Sequence, residues 1–110
     1  MTYEDRKAAI QELYSNNPKI VVDTFTGLTV DFCKKVNAKY ILRGLRNSKD
    51  LEFENPIAQN NLILAPDIET FFLMSRSGTA HISSTIVRDI LINGGPVDAL
   101  VRVEVLKFIK

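Results

Sequence analysis

The sequence predicts an α/β domain: an open parallel sheet with helices on both faces. Three observations carry the prediction. Short runs rich in β-branched and aromatic residues, Ile20-Val21-Val22, Tyr40-Ile41-Leu42 and Thr70-Phe71-Phe72-Leu73-Met74, read as strands. Segments with helical apolar spacing lie between them. Strands that alternate with helices pair in parallel, because each helical crossover returns the chain to the same edge of the sheet. A length of 110 residues with 45% hydrophobic content suits one core and one domain.

Residues 3 to 15 open the chain as a helix with Ala8, Ala9, Ile10 and Leu13 on its apolar face, stopped by Asn16-Asn17-Pro18. The first strand follows, and Gly27 breaks the chain before a helix over residues 28 to 36, where Leu28, Phe32, Cys33 and Val36 form a stripe. The second strand runs into Arg43-Gly44-Leu45-Arg46. Ser48 to Leu64 is expected to be helical, with Asn55-Pro56 kinking or restarting it, since proline loses one helical hydrogen bond and restricts the residue before it. After the third strand, Ser75 to Ala80 forms a loop. A further helix starts at Ser84 or Thr85 and stops at Gly94-Gly95-Pro96, and Val97 to Ile109 adds one or two helical turns.

Fourteen basic against thirteen acidic residues give a net charge of +1 with no basic run, which argues against a nucleic-acid partner. The charged start Met-Thr-Tyr-Glu-Asp-Arg-Lys lacks the apolar core of a signal peptide, and no apolar run is long enough to span a bilayer, so a cytoplasmic protein with no membrane partner is expected. The single cysteine excludes an internal disulfide and a multi-cysteine metal site. Its apolar stripe predicts a buried structural thiol.

In open parallel sheets ligands gather beyond the carboxyl ends of the strands. Three loops leave this edge: Phe25 to Thr29, the segment with Arg43 and Arg46, and Thr79 to Thr85. The last leads into Ile82-Ser83-Ser84-Thr85-Ile86-Val87-Arg88, where hydroxyl residues cap a helix and a cation sits one turn in. A cation there is mildly disfavoured by the helix dipole, and a bound anion resolves the conflict, since free N–H groups, hydroxyls and a guanidinium fork converge as they do in a phosphate site. A capped helix with a solvated arginine is the plainer alternative. Arg43 and Arg46 equally suit polyphosphate binding or salt bridges to Asp50, Glu52 or Glu54. Asp50 and Glu54 share a helical face, as a metal pair or a solvated acidic face would; no metal ligand is assigned to them.

The string Ile-Ser-Ser-Thr-x-x-Arg resembles the C-terminal signature of the nucleotidyltransferase superfamily. Together with Ile41-Leu42-Arg43-Gly44-Leu45-Arg46, Asp50-Leu51-Glu52-Phe53-Glu54 and Phe72-Leu73-Met74, in that order and spacing, it is similar to the bacterial pantetheine-phosphate adenylyltransferases, and the similarity covers nearly the whole chain. It implies a Rossmann-like fold, of which this chain would hold the C-terminal two-thirds. It also implies transfer of AMP from ATP to 4'-phosphopantetheine, giving dephospho-coenzyme A and pyrophosphate, with Mg²⁺, in a homohexamer. Arg43 and Thr29 would bind the pantetheine substrate. Gly44, Leu45, Arg46 and Glu54 would border ATP, and Thr79, Ala80, His81, Ile82, Ser83, Ser84 and Thr85 would wrap its adenine and phosphates. Arg46 and Arg88 would act catalytically, on the ATP phosphates and on the outgoing pyrophosphate.

The family's Thr/His-x-Gly-His turn and the lysine after it are absent from this chain. His81, its one histidine, borders the nucleotide or shapes its loop. The chain is therefore expected to be a C-terminal fragment, active only when a segment carrying the catalytic histidine and the central strand is supplied. Two other readings remain: a nucleotidyltransferase for another phosphate-bearing substrate, and a non-catalytic nucleotide-binding or assembly module.

Overall fold

The computed structural model describes residues 1–76 and 78–109; Ser77, within the expected Ser75 to Ala80 loop, lies outside them. Seven elements follow one another: α1 (Tyr3–Leu13), α2 (Thr29–Lys35), β1 (Tyr40–Leu45), α3 (Ser48–Leu64), β2 (Glu69–Met74), α4 (Ser84–Ile92) and α5 (Val103–Ile109). They fall into two compact units, one of residues 1–25 with 82–110 and the other of residues 26–81.

The second unit is a βαβ arrangement with α2 before it. β1 and β2 pair in parallel, with Tyr40 opposite Glu69 and Leu45 opposite Met74. α2 ends where Asn37 adopts a left-handed backbone (φ 59°), a conformation asparagine tolerates, and the Ala38 N–H closes the turn on the Cys33 carbonyl at 2.8 Å. Val30 and Cys33 of α2 pack with Ala65 and Ile68, against which Ala38 and Ile41 also lie, so Cys33 is the buried structural thiol expected. Alternate strand positions face the other way. There Tyr40, Leu42, Phe71 and Leu73 are each more than half exposed, and the parallel pair with its helical crossover is the α/β arrangement expected.

Two expectations are corrected. Ile20-Val21-Val22 is not a strand: the Ile20 N–H is taken by the Asn17 carbonyl in a turn, Val21 is 85% exposed, and a β-branched run forms a strand only against a hydrogen-bonding neighbour. Pro56 does not restart α3, which is continuous over its 17 residues. No residue of α3 is buried, so water can satisfy the carbonyl that Pro56 leaves free. The Asn47 side chain caps the helix by accepting the Asp50 N–H at 3.0 Å.

In the first unit α1 is closed by a capping box: the Thr2 hydroxyl accepts the Asp5 N–H at 3.0 Å, and the Asp5 carboxylate accepts the Thr2 N–H at 3.3 Å. The helix ends at Leu13, two residues short of expectation, where Tyr14 leaves helical geometry. α1 packs on α5, and Lys107 of α5 pairs with Glu12. α4 ends as the Gly94-Gly95-Pro96 signal predicts. Gly94 turns left-handed (φ 75°), and Gly95 returns its N–H to the Ile90 carbonyl at 2.8 Å. A Cβ on Gly95 would lie 2.7 Å from the Ile90 Cγ2, so glycine is required there. Ala9, Val87 and Val97 are the buried side chains of this unit.

Candidate functional site

The residues expected to handle substrate divide between the two units. In the second unit β1 extends to Leu45, so Arg43, Gly44 and Leu45 are strand residues and Arg46 follows the strand's end, three residues later than the second strand was expected to stop. Arg43 meets Glu54 of α3 in a fork: Nε donates to Oε2 at 3.1 Å and Nη2 to Oε1 at 2.6 Å. This bond holds the Arg43 guanidinium even more firmly protonated than usual. Arg46 meets Asp50, whose Oδ2 accepts both the Arg46 backbone N–H at 2.9 Å and Nε at 3.2 Å. The backbone bond, then the side-chain bond, holds the Asp50 carboxyl below its usual range. The salt-bridge alternative is thus the arrangement observed: Asp50 and Glu54 share a helical face because both reach back to the strand's arginines.

Leu45 is buried, and Gly44 is exposed, with open space where a Cβ would stand and no left-handed backbone. Nothing in the fold requires glycine at position 44. Thr29 is the first residue of α2 and is exposed. Thr79 closes a turn on the Arg76 carbonyl, its N–H at 3.2 Å and its hydroxyl at 2.9 Å, followed by half-buried Ala80 and exposed His81.

In the first unit the helix start is realised as expected. Ser83 is the N-cap, its hydroxyl accepting the Ile86 N–H at 3.2 Å, and α4 begins at Ser84. The N–H groups of Ser84 and Thr85 are first-turn donors with no intrahelical acceptor. The first turn carries no acidic residue to complement the helix dipole. Arg88 folds back so that Nη2 donates to the Thr85 hydroxyl at 3.4 Å, and among the described residues no carboxylate pairs with it. Ile82, Ser83, Ser84 and Arg88 line one cavity of about 710 Å³ together with Leu91, Val105 and Phe108. Its volume falls within the range of small-molecule sites.

Arg6 of α1 lines the same cavity, a placement sequence reasoning missed. Its local signal, Tyr3-Glu4-Asp5-Arg6, is visible, but its place in one cavity with Arg88 depends on helices far apart in the chain. Among the described residues no group of three or more His, Cys, Asp or Glu side chains is placed to hold a metal ion. No helix is long and apolar enough to cross a membrane.

Known proteins match the chain along most of its length. The phosphopantetheine adenylyltransferase of Christiangramia forsetii is 53% identical over 98 residues, 89% of this chain and 64% of that relative. The enzyme of the same name from Flavobacterium psychrophilum is 50% identical over 98 residues, with the same two shares, 89% and 64%. That of Leptospira biflexa is 45% identical over 91 residues, 83% of this chain and 57% of that relative. The chain thus spans less than two thirds of the length of these relatives. The family model described as cytidylyltransferase-like matches residues 1–90, and on that match, which takes in α1 through most of α4, the chain belongs to the cytidylyltransferase-like family.

Proposed function

We propose that this chain supplies the nucleotide-handling part of an adenylyltransferase that moves AMP from ATP to 4'-phosphopantetheine, a step of coenzyme A synthesis. A phosphate oxygen of 4'-phosphopantetheine attacks the α-phosphorus of ATP. A new P–O bond forms to give dephospho-coenzyme A, and the bond to the bridging oxygen breaks, its electron pair leaving with pyrophosphate. Such a displacement needs no protein nucleophile, only positioning and positive charge where negative charge accumulates.

The observation that carries this reading is Arg88, an arginine without a carboxylate partner among the described residues, beside Ser83 and Ser84 at the uncomplemented N-terminus of α4 and facing a ligand-sized cavity. The similarity to relatives named phosphopantetheine adenylyltransferase gives the substrate pair. In this reading Arg88 faces the outgoing pyrophosphate, with Thr79, Ala80, His81, Ile82, Ser83, Ser84 and Thr85 around ATP. Gly44, Leu45 and Arg46 border the nucleotide, and the spare room at Gly44 supports a close approach there. Arg43 and Thr29 receive the pantetheine substrate. Glu54, expected to contact the nucleotide, grips Arg43 and so also sets that side chain's aim.

The carboxylates Asp50 and Glu54 are engaged by arginines and do not fit a resident metal. Mg²⁺ belongs here to the ATP phosphates as they arrive, and no residue of the chain is assigned to it. A homohexamer working in the cytoplasm completes the proposal.

The test is release of pyrophosphate from ATP by the purified chain, with and without 4'-phosphopantetheine, alongside calorimetric titration of ATP. Release that requires 4'-phosphopantetheine upholds the reading. ATP binding without release by the chain alone is consistent with a nucleotide-handling part and leaves the non-catalytic module open, and binding of neither substrate overturns the assignment.

A further inference from the structure

Two guanidiniums from distant parts of the chain open onto one cavity of the first unit, Arg6 from α1 and Arg88 from α4. Both are exposed, so water solvates them, and two like charges on one cavity raise its positive potential and draw anions to it. Elsewhere in this unit Lys7 takes Asp23 at 3.8 Å, Arg102 takes Glu104 at 3.5 Å, and Lys107 takes Glu12. Among the described residues neither Arg6 nor Arg88 takes a carboxylate. The carboxylate nearest Arg6 in sequence, Asp5, is committed to the α1 capping box. The Arg6 guanidinium instead lies over the Tyr3 ring, 4.4 Å from its centroid. Stacking uses the face of the guanidinium and leaves its in-plane N–H donors for oxygen acceptors.

We infer that Arg6 is a second anion-binding residue of this cavity, closing with Arg88 on the terminal phosphates of a nucleoside triphosphate and on the pyrophosphate it releases. The inference rests on the reading of Arg88 given above and adds the residue that shares its load. The two arginines stand on different helices and each offers a planar fork, so two positive charges favour a polyanion such as two linked phosphate groups over a single one. Leu91, Val105 and Phe108 give the same cavity an apolar part of its lining.

The experiment is calorimetric titration of inorganic pyrophosphate, ATP and adenosine into the chain and its Arg6→Gln and Arg88→Ala variants. Arg6→Gln is expected to weaken pyrophosphate and ATP by about tenfold while leaving any adenosine binding unchanged. If Arg88→Ala loses pyrophosphate and Arg6→Gln binds it as the parent does, this inference falls and the reading of Arg88 stands. If the parent binds neither ATP nor pyrophosphate, both fall. Should Arg6→Gln lose its helical circular dichroism, phenylglyoxal modification of the parent chain, quantified at Arg6 by mass spectrometry, decides instead: protection by pyrophosphate upholds the assignment, and equal modification overturns it.

Discussion

The two units hold their arginines in opposite ways. In the second unit Arg43 and Arg46 are each gripped by a carboxylate from α3, Glu54 and Asp50, which hold the guanidiniums in place and cancel their charge. In the first unit Arg6 and Arg88 have, among the described residues, no acidic partner, and line a cavity beside the hydroxyls that start α4. Paired arginines are aimed; unpaired arginines attract. In the adenylyl transfer proposed above, the first behaviour would serve to orient a substrate and the second to gather negative charge.

The strongest way to break this contrast is Arg88→Ala in an enzyme that turns over. The loss should be about 3 kcal/mol in kcat/KM, as for removal of a preorganised donor, and an unchanged kcat/KM would remove Arg88 from the chemistry. Pro56→Ala comes next and touches only the aimed pair. It restores the hydrogen bond missing from α3 and should stabilise the second unit by about 2 kcal/mol, part of the gain being offset by a freer unfolded chain. Amide exchange should slow along α3 and not along α4. Glu54→Gln converts Arg43 from a paired to an unpaired arginine at a cost of about 1 kcal/mol by urea denaturation. It should also bring Arg43 closer in behaviour to Arg88, with stronger binding of inorganic phosphate in the second unit; no gain would mean that Glu54 does not restrain that charge.

The smallest effect is one of pH. The Asp50 carboxyl is held below its usual range, so its contribution to stability is complete above the unfolded carboxylate value and is lost as pH falls through the lower folded value. Asp50→Asn should therefore flatten the acid limb of the stability curve below about pH 4 and leave its shape near neutrality unchanged. An acid limb as steep as the parent's would show that the Arg46 contact does not form.

What could be read from the sequence was local. The Ser83 cap, the start of α4, its glycine stop and the span of α3 each depend on residues within a turn or two of one another, and each stands as expected. Errors arose where distant partners decide. Ile20-Val21-Val22 has strand composition but a turn claims its first N–H, and Arg43 extends a strand that its charge seemed to end, because β2 offers it a full ladder. The link between Arg43 and Glu54 could be narrowed from sequence to an alternative. That Arg6 and Arg88 line one cavity could not be seen at all, since they lie on α1 and α4, some eighty residues apart in the chain.

The ring beneath Arg6 gives the first unit an optical handle. The chain has three tyrosines and no tryptophan, so its near-ultraviolet emission comes from Tyr3, Tyr14 and Tyr40. Among the described residues only Tyr3 has a guanidinium over its face, while Tyr40 stands in the second unit 5.7 Å from Phe71. An anion that draws Arg6 off the ring changes the surroundings of one fluorophore in three, so with Tyr14 and Tyr40 replaced by phenylalanine the intrinsic emission reports pyrophosphate arriving at the first unit.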